Sequence, residues 1–198
     1  AAGPLNLPRE GNVRAASGLS FPAQLVADGA LRRLFVADSN HNRIVIAELP
    51  DAAGRARVIR VVGSGAVGAA DGPADSASFH HPQGVVAAHG NLYVCDTENH
   101  LIRKIDLETF EVETVVGTGR MENDRAGGGM GRGQGLNSPW DAVAEGSTLY
   151  VAMAGTHQVW RIDMPVGFAR ALAGTGRENL GDGPTETSAF AQCSGICA

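Results

Sequence analysis

Short runs of alternating apolar and polar residues recur along the chain, separated by turn-forming residues. In YVCDTENHLIRKIDLE, residues 93 to 108, two such runs flank a polar turn. Alternation with a period of two is typical of half-buried β-strands, and no window shows a sustained helical period. The pattern therefore predicts an all-β fold. In this part of the chain we expect strands near 84–88, 92–96, 101–106 and 111–116.

The sequence also repeats itself. FVADSNHNRI, starting at Phe35, aligns with YVCDTENHLI from Tyr93 and with YVAMAGTHQV from Tyr150. A Pro-led segment precedes each copy, a β-rich run closed by glycines follows it, and a fourth unit begins at Gln192 as QCSGICA. Units of four short strands at a fixed period are typical of β-propeller blades. We therefore expect about three four-stranded blades and the first strand of a fourth.

The predicted boundaries follow from these repeats. Residues 1–18 are expected to form an N-terminal linker or extension and residues 19–198 the propeller part. The blades are placed at about 19–65, 79–119 and 137–176, and the next is expected to begin at 190–198. Because closed propellers typically have four to eight blades, the remaining blades are expected from the same chain beyond Ala198, or alternatively from a second chain.

Long insertions separate the repeats and point to a working face. If strand directions alternate, the turn between the second and third strands of a blade and the link to the next blade emerge on the same face. Long surface loops on a rigid scaffold commonly carry binding sites. We therefore predict binding at this loop-rich face. The candidate binding residues are His41, Asn42, Asn99, His100, His157, Arg120, Arg125, Arg132 and Trp140.

Composition narrows the classes of partner. The chain is 43% hydrophobic and 19% charged, with a formal net charge of −5. This acidic balance offers no basic surplus to neutralise phosphates, so neither nucleic acid nor an acidic membrane surface is an expected partner. No apolar run approaches the roughly 20 residues needed to span a bilayer. Membrane insertion is therefore not expected.

The polar turn residues are candidates for chemistry, but the alignment favours a structural role. His100 aligns with Asn42 and His157, whereas Asp96 aligns with Asp38 and Met153. A catalytic or metal-binding property should recur, and only the turn-forming polarity does. The alternative is a zinc site on the loop-rich face. It would be formed by His41, His80, His81 and His100.

Other motifs give weaker signals. The three cysteines are an odd number and are expected to be unpaired. The glycine-rich stretch 127–135 lacks the flanking strand, helix and Lys of a phosphate loop, so it is expected to be a flexible loop. Trp140 and Trp160 could stack a ligand, although core packing is the commoner use of tryptophan at such positions. The Asp-Gly-Pro segments at Asp71 and Asp182 are interpreted as turns. We predict no catalytic residue, no metal and no cofactor.

These residues carry a family resemblance. The unit with P-x-G-V, LYV-x-D-T-x-N-H-x-I-R-K-I-D and V-x-T-V-x-G-x-G resembles the NHL repeat, and YVCDTENHLIRKIDLE is a close instance. NSPWDAV, YVAMAGTHQVW and AGTGRENLGDGPTETSAFAQ are similar to the propeller part of thioredoxin-like/NHL proteins. The resemblance spans residues 19 to 198. The chain departs from its own repeat at Cys193, Asp141 and Met153, which replace Pro, Gly and Asp.

The resemblance also implies a function. In that group the propeller is usually six-bladed, follows a thioredoxin-like domain and precedes a β-rich domain. It implies a non-enzymatic protein-interaction scaffold, with protein partners and any redox activity outside these residues. The alternative is a metal-dependent lyase or hydrolase site on the ring axis or loop-rich face. Plant-like members imply the chloroplast thylakoid lumen, and animal-like members the cytoplasm.

Overall fold

The computed structural model describes residues 18–197, and its regular structure is almost entirely β-strand. The strands in chain order are β1 Pro22–Asp28, β2 Arg33–Asp38, β3 Arg43–Glu48, β4 Val58–Val62, β5 Pro82–Ala88, β6 Asn91–Asp96, β7 Leu101–Asp106, β8 Val112–Val116, β9 Gly127–Met130, β10 Pro139–Glu145, β11 Thr148–Met153, β12 Gln158–Asp163 and β13 Phe168–Ala173. The four strands expected between residues 84 and 116 are confirmed as β5 to β8.

The strands form three antiparallel sheets. Blade 1 is β1 to β4, blade 2 is β5 to β8, and blade 3 is β10 to β13 with β9 added at its outer edge. The first strand of blade 2, β5, contacts the first strands of both other blades. The strands β1, β5 and β10 are therefore the innermost ones. The all-β, partial propeller fold predicted from the repeats is confirmed.

The blades are held together by apolar side chains between their faces. Because successive side chains of a strand point to opposite faces, Phe35 of blade 1 is directed at blade 2, where it joins Val85 and Leu92 in one fully buried cluster. A second cluster joins blades 2 and 3 around Trp160 and Leu136. Burying a large apolar side chain contributes about 1.5–3 kcal/mol, so these contacts fix the angle between neighbouring blades.

The strand β9 is a correction to the sequence analysis. The stretch 127–135 is not simply a flexible loop, because Gly127–Met130 pairs antiparallel with β13 as a fifth strand. A Cβ on Gly127 would lie 2.7 Å from the Ala169 carbonyl oxygen and 2.9 Å from the Trp160 ring, at a φ of +71°. Only glycine meets both conditions without strain. The glycines therefore let the backbone approach closely.

The links between blades also differ from the expected arrangement. We expected all of the extra length on one face. However, β9 runs along the outer edge of blade 3, and Gly72 forms a bridge with Val112 at the outer edge of blade 2. The links after blades 1 and 2 therefore lie partly on the loop-rich face and partly along an outer edge.

The ends of the predicted propeller lie at the limits of the described residues. The expected extension at 1–18 falls almost wholly outside them. Residues 191–197 contain no strand and have no hydrogen-bonded strand beside them. The fourth blade and the boundaries assigned to all the blades therefore stay predictions. In the described part of the chain, no helix is long and apolar enough to cross a membrane.

Candidate functional site

The loop-rich face is organised by one turn that occurs in each blade. The link between the second and third strand of the blade is a single 3₁₀ turn, and it ends at a residue in the left-handed conformation. These residues are Asn42, His100 and His157, with φ of 51°, 55° and 54°. Asn and His are among the non-glycine residues that tolerate this region best. The turn-forming role inferred from the alignment therefore has a backbone cause.

The same three side chains bond the chain segment that follows their blade. Asn42 and His100 each accept a hydrogen bond from the backbone N–H of the residue before the first strand of the next blade, and His157 accepts the equivalent bond from Gln192; we call these contacts the junction bonds. They are His81 N–H to Asn42 Oδ1 at 3.0 Å, Ser138 N–H to His100 Nδ1 at 3.0 Å, and Gln192 N–H to His157 Nδ1 at 3.1 Å. An imidazole nitrogen accepts only when it carries no proton.

The junction bond from Ser138 therefore requires the neutral form of His100. Burial lowers the pKa of His100 from its usual value, and nearby Glu98 opposes this effect while His80 adds to it. The junction bond between blades 2 and 3 is accordingly compatible with neutral pH. Acid weakens it, because protonated Nδ1 becomes a donor that faces another donor.

Buried aspartates hold the start of blades 1 and 2. Asp96 Oδ1 accepts the His80 backbone N–H at 2.8 Å, and its Oδ2 accepts bonds from Asn99 and from Arg103, both at 2.8 Å. Burial raises the pKa of Asp96, while Arg103 opposes the rise. In blade 1, Asp38 makes the equivalent bond to the Ser20 N–H at 2.7 Å.

Arg103 was missed by the sequence analysis. Its side chain is fully buried and donates to Asp71 and to the carbonyls of Ser78 and Ala70. Its guanidinium also lies over the Phe79 ring, 5.2 Å from the centroid. The repeat alignment gave no signal, because the arginine that serves blade 1, Arg43, donates to Asp38 from a different strand position.

Blade 3 replaces this ion pair with apolar residues. Met153 stands in the place of Asp96, and Trp160 in the place of Arg103. Both are fully buried, and the Trp160 indole N–H donates to Gln158 Oε1 at 3.2 Å. Blade 3 therefore replaces both members of the ion pair together, the aspartate by Met153 and the arginine by Trp160. This replacement indicates that the aspartates serve the structure, since the fold accepts a blade without one.

The zinc hypothesis gains no support from the geometry. Across residues 18–197, no group of three or more His, Cys, Asp or Glu side chains could hold a metal ion. The His80 and His81 rings are 5.1 Å apart. His41 instead contacts Asp38 in its own blade, with Nδ1 2.8 Å from Oδ2. All three cysteines are free, as expected.

The candidate arginines are not brought together. Arg120 is exposed in the link that follows β8, whereas the Arg125 side chain lies against Gly176. Arg132 follows β9 and pairs with Asp71 at the outer edge of the blades.

The other two candidates have different surroundings. Asn99 donates to the Gly68 carbonyl at 2.7 Å and so fixes a loop. Trp140 is partly exposed rather than buried in the core, and it lines a cavity.

Exposed apolar side chains on the loops were also missed. Shortly after the G-x-G that ends each blade, one large apolar residue is exposed: Val67 at 61%, Met121 at 66% and Leu180 at 83%. Val67 and Met121 bridge back to Phe79 and Leu136, at the buried ends of their loops. The sequence shows that an apolar residue follows each G-x-G. It does not show that this residue is exposed, since an apolar residue there could equally have packed inward.

The comparisons with known proteins agree with the repeat pattern. The NHL repeat family matches residues 79–105. The chain is 41% identical over 199 residues to suppressor of quenching 1, chloroplastic, of Arabidopsis thaliana, covering 98% of this chain and 18% of that protein. It is 37% identical over 200 residues to NHL repeat-containing protein 2 of Gallus gallus, covering 91% of this chain and 27% of that protein. The chain thus spans well under a third of the length of these relatives.

Solved structures share the fold at low identity. An auxiliary nutrient binding protein from Bacteroides ovatus has a TM-score of 0.56 at 17% identity, over 69% of this chain and 36% of its own. A structural genomics protein of unknown function from Bacteroides thetaiotaomicron has a TM-score of 0.57 at 21% identity, over 78% and 36%. Such likeness shows the fold alone. With the NHL repeat matched at residues 79–105, this chain is an NHL-repeat β-propeller segment that is similar to part of suppressor of quenching 1 and of NHL repeat-containing protein 2.

Proposed function

We propose that this chain is a non-enzymatic module that binds a partner protein through its loop-rich face. The observation that carries the proposal is the exposure of Val67, Met121 and Leu180, one on each loop of that face. Apolar side chains that recur at the same place in each repeat offer a partner protein apolar surface to bury. In a thioredoxin-like/NHL protein, such a module would position targets for a redox domain outside these residues.

The loops that carry these side chains are tied to the blades. Beside Val67, the Gly68 carbonyl accepts a bond from Asn99. Beside Met121, the Glu122 N–H donates to the Leu136 carbonyl at 3.1 Å. A surface that is ordered before binding loses less conformational entropy in the complex. The tethering therefore supports a binding role.

The surroundings of Met121 also suit a protein interface. Arg120 is exposed beside it and Glu122 is partly exposed, and apolar contacts bordered by polar groups are the usual composition of protein interfaces. The alternative, a metal-dependent lyase or hydrolase centre, finds no supporting set of ligands within residues 18–197. The interaction module is thus the function that the geometry supports best.

Site-specific photo-crosslinking tests the proposal. A benzophenone amino acid would replace Met121 on the loop-rich face or, as the matched control, Val166, which is 59% exposed in the β12–β13 turn at the opposite end of the blade. We expect a discrete protein adduct from position 121 in cells of the source organism, identified by mass spectrometry and reproduced with the purified partner. Equal or stronger crosslinking to a partner from position 166 would overturn the proposal.

Deleting residues 120–135 is a poorer test. That segment contains β9 and the buried Gln134, whose side chain bonds the Gly129 N–H at 2.7 Å and the Gly135 carbonyl at 2.8 Å. A deletion would therefore disturb blade 3 as well as the surface. Single substitutions of exposed side chains separate binding from folding.

A further inference from the structure

Two adjoining cavities lie at the start of the innermost strands. One, of about 500 Å³, opens on the loop-rich face and is lined in part by Trp140, His157 and Glu178. The other, of about 210 Å³, is lined in part by Gln83 and Asp141 near the ring axis. Trp140 and Ser194 line both cavities. We call this joint opening the axial mouth.

A single buried carboxylate faces this opening. Asp141 is only 9% exposed. Its Oδ1 accepts bonds from Gln24 Nε2 at 2.6 Å and from the Ala142 N–H at 2.8 Å, and its Oδ2 accepts one from the Ile196 N–H at 3.0 Å. All three donors are neutral, and no Lys, Arg or His in the described residues pairs with it. Since a carboxylate offers about four acceptor positions, one is left on Oδ2.

The carboxylate stands where the repeat has glycine. Gly84 and Gly195 occupy the position of Asp141 in their own units. A Cβ on Gly84 would lie 2.7 Å from the Asp141 Cα, so blade 2 has no room for a side chain there. The negative charge at the axial mouth therefore comes from one blade only. Such asymmetry is not needed to build a blade.

The other groups of the axial mouth also have no cationic partner among the described residues. Trp140 is partly exposed, and no hydrogen bond from its indole N–H is present within residues 18–197, in contrast to buried Trp160. Glu178 is exposed at the rim, and none of the ion pairs of the described residues includes it. Neither cavity has Lys or Arg in its lining. An aromatic face beside unpaired carboxylates attracts cations.

We propose that the axial mouth receives a lysine or arginine side chain of the partner protein, packed on Trp140 and bonded to Asp141. The inference rests on the proposed function and adds the chemistry of one partner residue. The length of a Lys or Arg stem lets a charged head reach a buried carboxylate while its methylenes cover the indole. The rim carboxylate of Glu178 would attract the approaching cation.

The test uses N-acetyl-arginine amide and N-acetyl-lysine amide as probes of the full chain. The two tryptophans give separate indole N–H signals in an NMR titration, and fully buried Trp160 serves as the internal reference. We expect a saturable shift of the Trp140 signal alone. In Asp141→Asn the affinity should fall about tenfold, as expected for a lost bond to a charged group. N-acetyl-glutamate amide should cause no shift.

Two further variants keep the test independent of folding. Glu178→Gln, an exposed change, should weaken binding by about twofold to fivefold, the range for an exposed charge pair. Glu108→Gln in the β7–β8 turn should leave it unchanged. No Trp140 shift with either probe, or equal affinity in Asp141→Asn, would overturn the inference. Crosslinking at position 121 would still stand in that case, so failure here is distinguishable from failure of the proposed function.

Discussion

At the scale of single residues, a left-handed turn residue in each blade serves two purposes. Asn42 and His100 both end a 3₁₀ turn, and both accept an N–H from the next blade. The first purpose was predictable, since turn chemistry is local. The second was not, because the donor lies 39 residues away from Asn42 and 38 away from His100.

The junction bond of His100 predicts a dependence of stability on pH. Its pKa is lowered in the folded protein, so below the ordinary value of about 6.5 the unfolded chain binds more protons than the folded one. The free energy of unfolding should therefore fall as the pH drops from 7 to 5, by about 1 kcal/mol, the contribution of one hydrogen bond. Urea unfolding at a series of pH values measures this loss.

Asn42 supplies the matched substitution for this measurement. His100→Asn should fold equally well at pH 7 and lose less stability at pH 5 than the natural chain. His89→Asn is the control, because His89 is exposed and also has a positive φ of 51°. If His100→Asn kept the full pH dependence and His89→Asn removed it, the role assigned to the junction bond would be wrong.

At the scale of elements, β9 shows how a strand can escape sequence analysis. Gly127–Met130 contains three glycines and has no alternation of apolar and polar side chains. Its pairing with β13 depends on close backbone approach rather than on side-chain burial. In contrast, β6 was expected near 92–96 and is found at Asn91–Asp96, because its alternating side chains fill the faces between blades.

Alanine substitutions test the close approach of β9. Gly127→Ala would place a Cβ against the Ala169 carbonyl at a positive φ, and we expect a loss of about 1–3 kcal/mol. The Ala171 amide, which donates to the Ala126 carbonyl at 3.0 Å, should then exchange its hydrogen faster. Gly133→Ala is the control, because a Cβ there meets nothing within 4 Å. Equal effects of the two substitutions would contradict the assignment.

Blade 2 contains a buried ion pair where blade 3 contains two apolar residues, and this difference gives a prediction. Arg103→Met leaves Asp96 buried without its cation and should cost about 3–5 kcal/mol. Adding Asp96→Met should recover part of that loss, as blade 3 already contains Met153 at this place. Urea unfolding of both single variants and the double variant gives the coupling. Additive losses would show that the two side chains act independently.

At the scale of the whole molecule, the fold could be predicted from the sequence, whereas the side chains of the binding surface could not. Repeats at fixed intervals predicted the blades, because each unit must bury its faces against a neighbour. The candidate residues were chosen for their expected place on the loop-rich face, and all except Trp140 are polar. His100 and Asn99 prove to hold the structure together, whereas the exposed side chains Val67, Met121 and Leu180 were passed over as ordinary apolar residues.

The central claim is that these exposed side chains form the partner-binding surface. The most direct measurement is the dissociation constant of the crosslinked partner for the natural chain, for Met121→Glu and for the opposite-face control Val166→Glu. We predict that Met121→Glu weakens binding about tenfold or more, with unfolding midpoints unchanged, and that Val166→Glu leaves it unaltered. Unchanged affinity in Met121→Glu together with a loss in Val166→Glu would place the interface on the other face and contradict the account.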